Sequence, residues 1–172
     1  MRSALGFIMF ALTAAASTAL SQSPKLRHAS GDTARVVFVC EHGSVKSMIA
    51  ATLFNRLAAQ RSLAARDVSR GTIPDSVIPQ LVRDGLRDDG VDIGNIRPIG
   101  FSSTEVLGAS LFVVFDVQLP SRRGPVPVRR WDGTPSVMTS YSAGREAIAL
   151  RVTKLVSELE RAAAPPSHRP RH

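Results

Sequence analysis

Four consecutive apolar residues, Val36-Val37-Phe38-Val39, run into Cys40, a polar loop of residues 41–47, and then Met48-Ile49-Ala50-Ala51-Thr52-Leu53-Phe54. An unbroken run rich in β-branched side chains reads as a strand covered on both faces, the kind that parallel sheets contain. After the loop, Ile49, Leu53, Phe54 and Leu57 recur at the spacing of one helix face. The stretch therefore commits the chain to a strand, a tight loop and an amphipathic helix. Ser47 falls near the helix start, where a hydroxyl can cap free backbone N–H groups. Such a junction is an anion site, because successive N–H groups converge and the helix dipole adds partial positive charge. Cys40 is the only cysteine of the chain and closes the strand. A thiol facing that field is held as a nucleophilic thiolate; the alternative for a lone cysteine is an inert buried side chain.

The rest of the chain repeats the alternation. A first strand is expected over residues 35–39 and a first helix over 47–61. Residues 65–72 read as a short second strand and turn. Pro74 is expected to open a helix that buries Val77, Ile78, Leu81, Val82 and Leu86 and stops at Gly90. Residues 102–107 form a further short helix, with Ser103 or Thr104 near its start. Residues 111–115 are a second fully apolar strand ended by Asp116. A long Pro- and Gly-rich loop containing Trp131-Asp132-Gly133-Thr134-Pro135 follows, and a last helix over 142–161 carries Ile148, Val152, Leu155, Val156 and Leu159 before Pro165-Pro166. Alternating strands and helices imply a doubly wound parallel sheet with helices on both faces. Ligands of such sheets sit beyond the strand carboxyl ends, where Cys40 and Asp116 both fall.

The first 21 residues stand apart. Arg2 precedes an apolar run over residues 4–15, and Ala19-Leu20-Ser21 places small residues before Gln22. That is the layout of a secretory signal peptide, so the mature chain is expected in a periplasm or secreted, with no stable membrane span once the leader is cut. A retained anchor is the alternative. Residues 22–33 are polar and expected to be flexible, 34–161 form the α/β domain, and 162–172 a disordered basic tail. The net charge of +8, to which Arg2 contributes one, is concentrated partly in that tail and in Arg122-Arg123 and Arg129-Arg130. It reads as solvated surface charge or as a field that draws anionic ligands. No basic patch interleaved with aromatics is present, so nucleic acid is not an expected partner. No cofactor motif or metal-ligand spacing is found, and one cysteine permits no intramolecular disulfide.

Cys40, five residues, Lys46 and Ser47 resemble the phosphate-binding loop of low-molecular-weight protein tyrosine phosphatases and the related arsenate reductases, where Arg stands in the place of Lys46. The resemblance extends over residues 34–160. Ser69-Arg70-Gly71-Thr72 is similar to the family's Ser-Ala-Gly-Thr. Asp89-Gly90-Val91-Asp92-Ile93 with Arg97-Pro98 is similar to its Gly-Ile-Asp…Arg-Pro segment, and Trp131-Asp132 to the Trp-Asp before its Asp-Pro acid. The resemblance implies a four-stranded sheet, Cys40 as nucleophile, a phosphate cup of Glu41, His42, Gly43, Ser44, Val45, Lys46 and Ser47, and a hydroxyl of Ser47 that steadies the thiolate.

Three departures bear on activity. Lys46 offers a point charge where Arg would grip two oxygens with a planar fork. His42-Gly43 stands where the family commonly has Gly-Asn, which removes a side-chain brace. The acid position holds Thr134-Pro135, leaving Asp132 as a substitute catalytic acid, with Asp116 and His42 as further candidates. Trp131 and Tyr141 are the large aromatics available to flank a substrate ring, packing in the core being the alternative for each. The leading expectation is an exported enzyme that hydrolyses phosphate monoesters through a cysteinyl-phosphate with modest activity. Its partner is phosphate or another tetrahedral oxyanion, and a phosphoprotein is one candidate substrate. The alternatives are a non-catalytic oxyanion- or partner-binding module and an arsenate reductase that uses an external thiol.

Overall fold

The computed structural model describes residues 33–120 and 124–164. The expected signal peptide, most of the flexible segment, Arg122-Arg123 and the end of the basic tail lie outside these residues. The elements run β1 (Ala34–Cys40), α1 (Lys46–Gln60), β2 (Ala65–Gly71), α2 (Gln80–Asp88), a 3-10 helix (Ser103–Gly108), β3 (Leu111–Val114), β4 (Val128–Arg130) and α3 (Tyr141–Ala163). All three strand pairings are parallel, in the order β2-β1-β3-β4. The chain leaves β1 toward one edge for β2 and returns to its other side for β3. That reversal opens a crevice beyond the carboxyl ends of β1 and β3.

The two faces of the sheet are covered differently. Val36, Phe38 and Cys40 of β1 face a large core with Ile49 and Phe54 of α1, Val82 and Leu86 of α2, and Ile148, Val152, Leu155 and Leu159 of α3. Val37, Val39, Phe112 and Val114 face a smaller cluster closed by Phe101, Ala109, Val117, Leu119, Val126 and Val128. On that face the covering residues come from segments outside the three α-helices. Burial on both sides explains the uninterrupted apolar runs of β1 and β3.

Two elements differ from expectation. The helix expected from Pro74 begins at Gln80, leaving Val77 60% and Leu81 41% exposed. The ring of Pro79 disfavours helical backbone at Ile78, so no helix runs through from Pro74. β4 lies within the stretch read as loop. Two of its three residues are arginines, Arg129 pairing with Glu158 of α3 at 2.7 Å, so it carries no hydrophobic signature. The 3-10 helix is capped one residue earlier than expected, Ser102 accepting from the Thr104 N–H. Ser140 caps α3 in the same way through Ala143.

Candidate active site

Cys40 ends β1 and the loop of residues 41–45 turns directly into α1. The carbonyls of Cys40, Glu41 and His42 accept from the N–H groups of Thr72, Ile73 and Asp75 at 3.1, 2.8 and 3.1 Å. A trans peptide points each following N–H the opposite way. The amides of Glu41, His42 and Gly43 are therefore turned from the connector toward the sulfur, and the Gly43 N–H reaches Cys40 Sγ at 3.2 Å. Those of Glu41, His42, Ser44, Val45 and Lys46 meet no acceptor among the described residues. They are donors left for a ligand.

Close backbone approach makes this shape possible. Gly43 has φ +68°, and a Cβ there would lie 2.7 Å from the Gly71 nitrogen. A Cβ on Gly71 would lie 2.7 Å from the His42 carbonyl carbon. The two glycines let the end of β2 lie flat against the loop. Asp75 braces the loop from outside. Its Oδ2 accepts from Ser44 Oγ at 2.5 Å, its Oδ1 lies 3.3 Å from His42 Nδ1, and its N–H holds the His42 carbonyl. This tie was not legible in the sequence, since the partners lie 31 residues apart.

Ser47 does not cap α1, which has no side-chain cap. Its hydroxyl lies 3.0 Å from Cys40 Sγ. The Ser69 hydroxyl on β2 reaches Ser47 Oγ at 2.8 Å and the Gly43 carbonyl at 2.9 Å. The single Ser69 proton serves either acceptor, and with it on either one the Ser47 proton is free for the sulfur. This relay sets a hydroxyl against the sulfur, where it can steady the sulfur as a leaving group.

Cys40 is only 6% exposed, yet it lines a cleft of about 280 Å3 at the crevice. Glu41, His42, Lys46, Asp116 and Thr134 supply polar lining, and Val45, Phe115, Val117, Val137 and Met138 the apolar walls. Trp131 and Tyr141 do not flank it. Trp131 packs in the core against Phe38 and Phe115 at 5.7 and 5.5 Å, and Tyr141 lies over Gly85 with its hydroxyl toward Asp89. Lys46 Nζ donates to Asp116 Oδ2 at 2.7 Å and the Thr134 carbonyl at 3.0 Å, leaving one of its three N–H bonds for a ligand.

The carboxyl groups are already committed. Partial burial would raise Asp116. The hydrogen bonds from Lys46 and the Gly133 N–H, with the charges of Lys46 and Arg151, outweigh it and hold the group below the usual carboxylate range. Asp132 is held low first by its hydrogen bond from Arg130, at 2.6 Å, and then by the Asp116 N–H, at 2.9 Å. Asp132 is not among the residues lining the cleft. Both carboxyls are acceptors near neutral pH. Thr134 is buried, its hydroxyl donating to the Trp131 carbonyl. Among the described residues no cluster of His, Cys, Asp or Glu could hold a metal ion, and no helix is long and apolar enough to cross a membrane.

The parallel sheet in the order β2-β1-β3-β4, with the Cys40 loop at its switch point, has the fold of low-molecular-weight protein tyrosine phosphatases and arsenate reductases. Solved structures of both kinds superpose on the chain. The thioredoxin-dependent arsenate reductase of Corynebacterium glutamicum matches at TM-score 0.62 and 22% identity, over 76% of this chain and 63% of its own length. The arsenate reductase of Archaeoglobus fulgidus matches at 0.56 and 25%, over 71% and 98%. The low-molecular-weight protein tyrosine phosphatase of T. tengcongensis matches at 0.56 and 18%, over 73% and 99%. No protein-family model and no curated protein matches the sequence.

Proposed function

We propose that the chain is a phosphatase-like enzyme that attacks phosphate monoesters with Cys40 and holds the oxyanion in residues 41–47. The observation that carries this reading is the sulfur itself, contacted by the Gly43 N–H and the Ser47 hydroxyl while the neighbouring amides face the same side. In the first step the sulfur forms a bond to phosphorus as the bond from phosphorus to the ester oxygen breaks, and the leaving oxygen takes that electron pair. In the second, water attacks the cysteinyl-phosphate, releases its proton to solvent, and the sulfur departs as thiolate with the Ser47 hydroxyl on it. Loop amides and the free N–H of Lys46 meet the charge on the phosphoryl oxygens. With Asp116 and Asp132 both ionised, the first step favours leaving groups that need no proton, so aryl phosphates turn over and alkyl phosphates do so far more slowly. Cys40→Ser should abolish p-nitrophenyl phosphate hydrolysis while phosphate binding, read by calorimetry, survives. Hydrolysis at the unaltered rate would overturn the assignment.

A non-catalytic oxyanion-binding module is the second reading, favoured by the hold of Asp116 and Thr134 on Lys46. Phosphate binding without turnover would establish it. Arsenate is also tetrahedral and fits the same donors. With one cysteine in the chain, its reduction needs an added thiol, so arsenate-dependent oxidation of glutathione is the test of that activity. We place the protein outside the cytoplasm on the pattern of its first 21 residues. A mature N-terminus at Gln22 by mass spectrometry supports this, and an intact Met1 contradicts it.

A further inference from the structure

Lysine at position 46 carries its charge on a flexible four-carbon stem, and its ammonium stays in one place only where fixed acceptors hold it. Here the two acceptors are the Asp116 carboxylate and the Thr134 carbonyl. Both depend on the segment of residues 131–134, because the Gly133 N–H also donates to Asp116 Oδ1 at 2.9 Å. That segment belongs to no helix or strand. Its shape is set from α3, where Arg151 Nη1 donates to the Trp131 carbonyl and to Thr134 Oγ1, both at 2.7 Å, and Nη2 to the Asp132 carbonyl at 3.3 Å. The Thr134 hydroxyl closes the arrangement on the Trp131 carbonyl at 2.8 Å. One guanidinium thus ties three residues of a turn whose last carbonyl carries Lys46.

Resting on the reading of the cleft as an oxyanion site, we propose that Arg151 is the positioning residue for Lys46, fixing the 131–134 turn so that the third N–H of the ammonium meets the bound oxyanion. Arg151 does not line the cleft; its charge reaches Asp116, and its hydrogen bonds reach Lys46 through the turn. A planar fork on the loop would orient itself on the ligand; with lysine there, the fork stands behind the turn and orients the ammonium. The same arrangement gives Thr134 a task as a hydroxyl acceptor for Arg151.

The test compares the full chain with Arg151→Met, Arg151→Lys, Lys46→Met and the Lys46→Met/Arg151→Met double variant. Calorimetry with inorganic phosphate, p-nitrophenyl phosphate kinetics and thermal melting are the readouts. Loss of one fixed donor on a charged ligand weakens phosphate binding about tenfold in Arg151→Met, with partial recovery in Arg151→Lys. In the Lys46→Met background the Arg151 substitution should cause no further loss. Phosphate affinity unchanged in Arg151→Met, or the same loss with and without Lys46, overturns the inference. If Arg151→Met does not fold, Thr134→Val removes one acceptor of the guanidinium and is compared in the same two backgrounds, with the same outcomes deciding. An unaltered chain that neither binds phosphate nor turns over overturns the cleft reading and this inference together. Binding by the unaltered chain with an indifferent Arg151→Met overturns the inference alone.

Discussion

Asp67 sits on β2 opposite Val36, on the face that packs against α1, and is 8% exposed. Among the described residues neither carboxylate oxygen makes a hydrogen bond of ordinary geometry. Burial pushes the group up to about 8; its own backbone N–H and the Asn55 side chain on α1 offset only part of that. An unfolded chain ionises Asp67 near pH 3.8, whereas the folded chain keeps the proton to about pH 8. The native state therefore binds the extra proton between those values. Stability from this group is complete below about pH 4, falls as pH rises, and is fully lost above about pH 8. At about 1.4 kcal/mol for each pH unit between the two values, the loss is on the order of 6 kcal/mol, an upper figure because water reaches a buried carboxylate as it ionises. Asp67→Asn removes the titration. Urea unfolding between pH 5 and pH 8.5 should show wild-type stability falling steeply while that of Asp67→Asn changes much less. Parallel profiles for the two proteins would refute the reasoning.

Other expectations concern the loop. Ser47→Ala removes a hydrogen bond to a charged sulfur and should lower p-nitrophenyl phosphate turnover roughly 10- to 100-fold, with little change in phosphate affinity; an unchanged rate contradicts its role in thiolate departure. Gly43→Ala forces a Cβ onto left-handed backbone and to 2.7 Å from the Gly71 nitrogen. It should cost several kcal/mol, visible as a large drop in melting temperature. Asp75→Ala and Ser44→Ala should each weaken phosphate binding by about 1 kcal/mol, and the double variant should be no worse than Asp75→Ala alone. Fully additive losses would show that the two do not act as one brace.

What could be read in advance depended on where the physical signal resides. β1, the loop and α1 were legible because burial on both faces leaves an unbroken apolar run, and a helix facing one core leaves a periodic one. Cys40 and Asp116 could be placed together from strand ends alone. β4 was hidden because an edge strand of Val128-Arg129-Arg130 is held by backbone pairing and by Arg129–Glu158, neither of which marks the sequence. Trp131 reads either as a wall of the site or as a packing residue, and it packs in the core. Asp132 stands beside the acid position in sequence, but Arg130 and the Asp116 N–H hold it outside the cleft lining. Asp75 and Arg151 act across 31 and 17 residues on a loop and a turn, so nothing local announces them.

The most direct measurement is the rate of iodoacetamide alkylation at Cys40 as inorganic phosphate is raised. If the cup seats an oxyanion against a reactive sulfur, phosphate slows alkylation in a saturable way, with a half-effect matching the calorimetric dissociation constant. An alkylation rate indifferent to phosphate at every concentration would contradict the account.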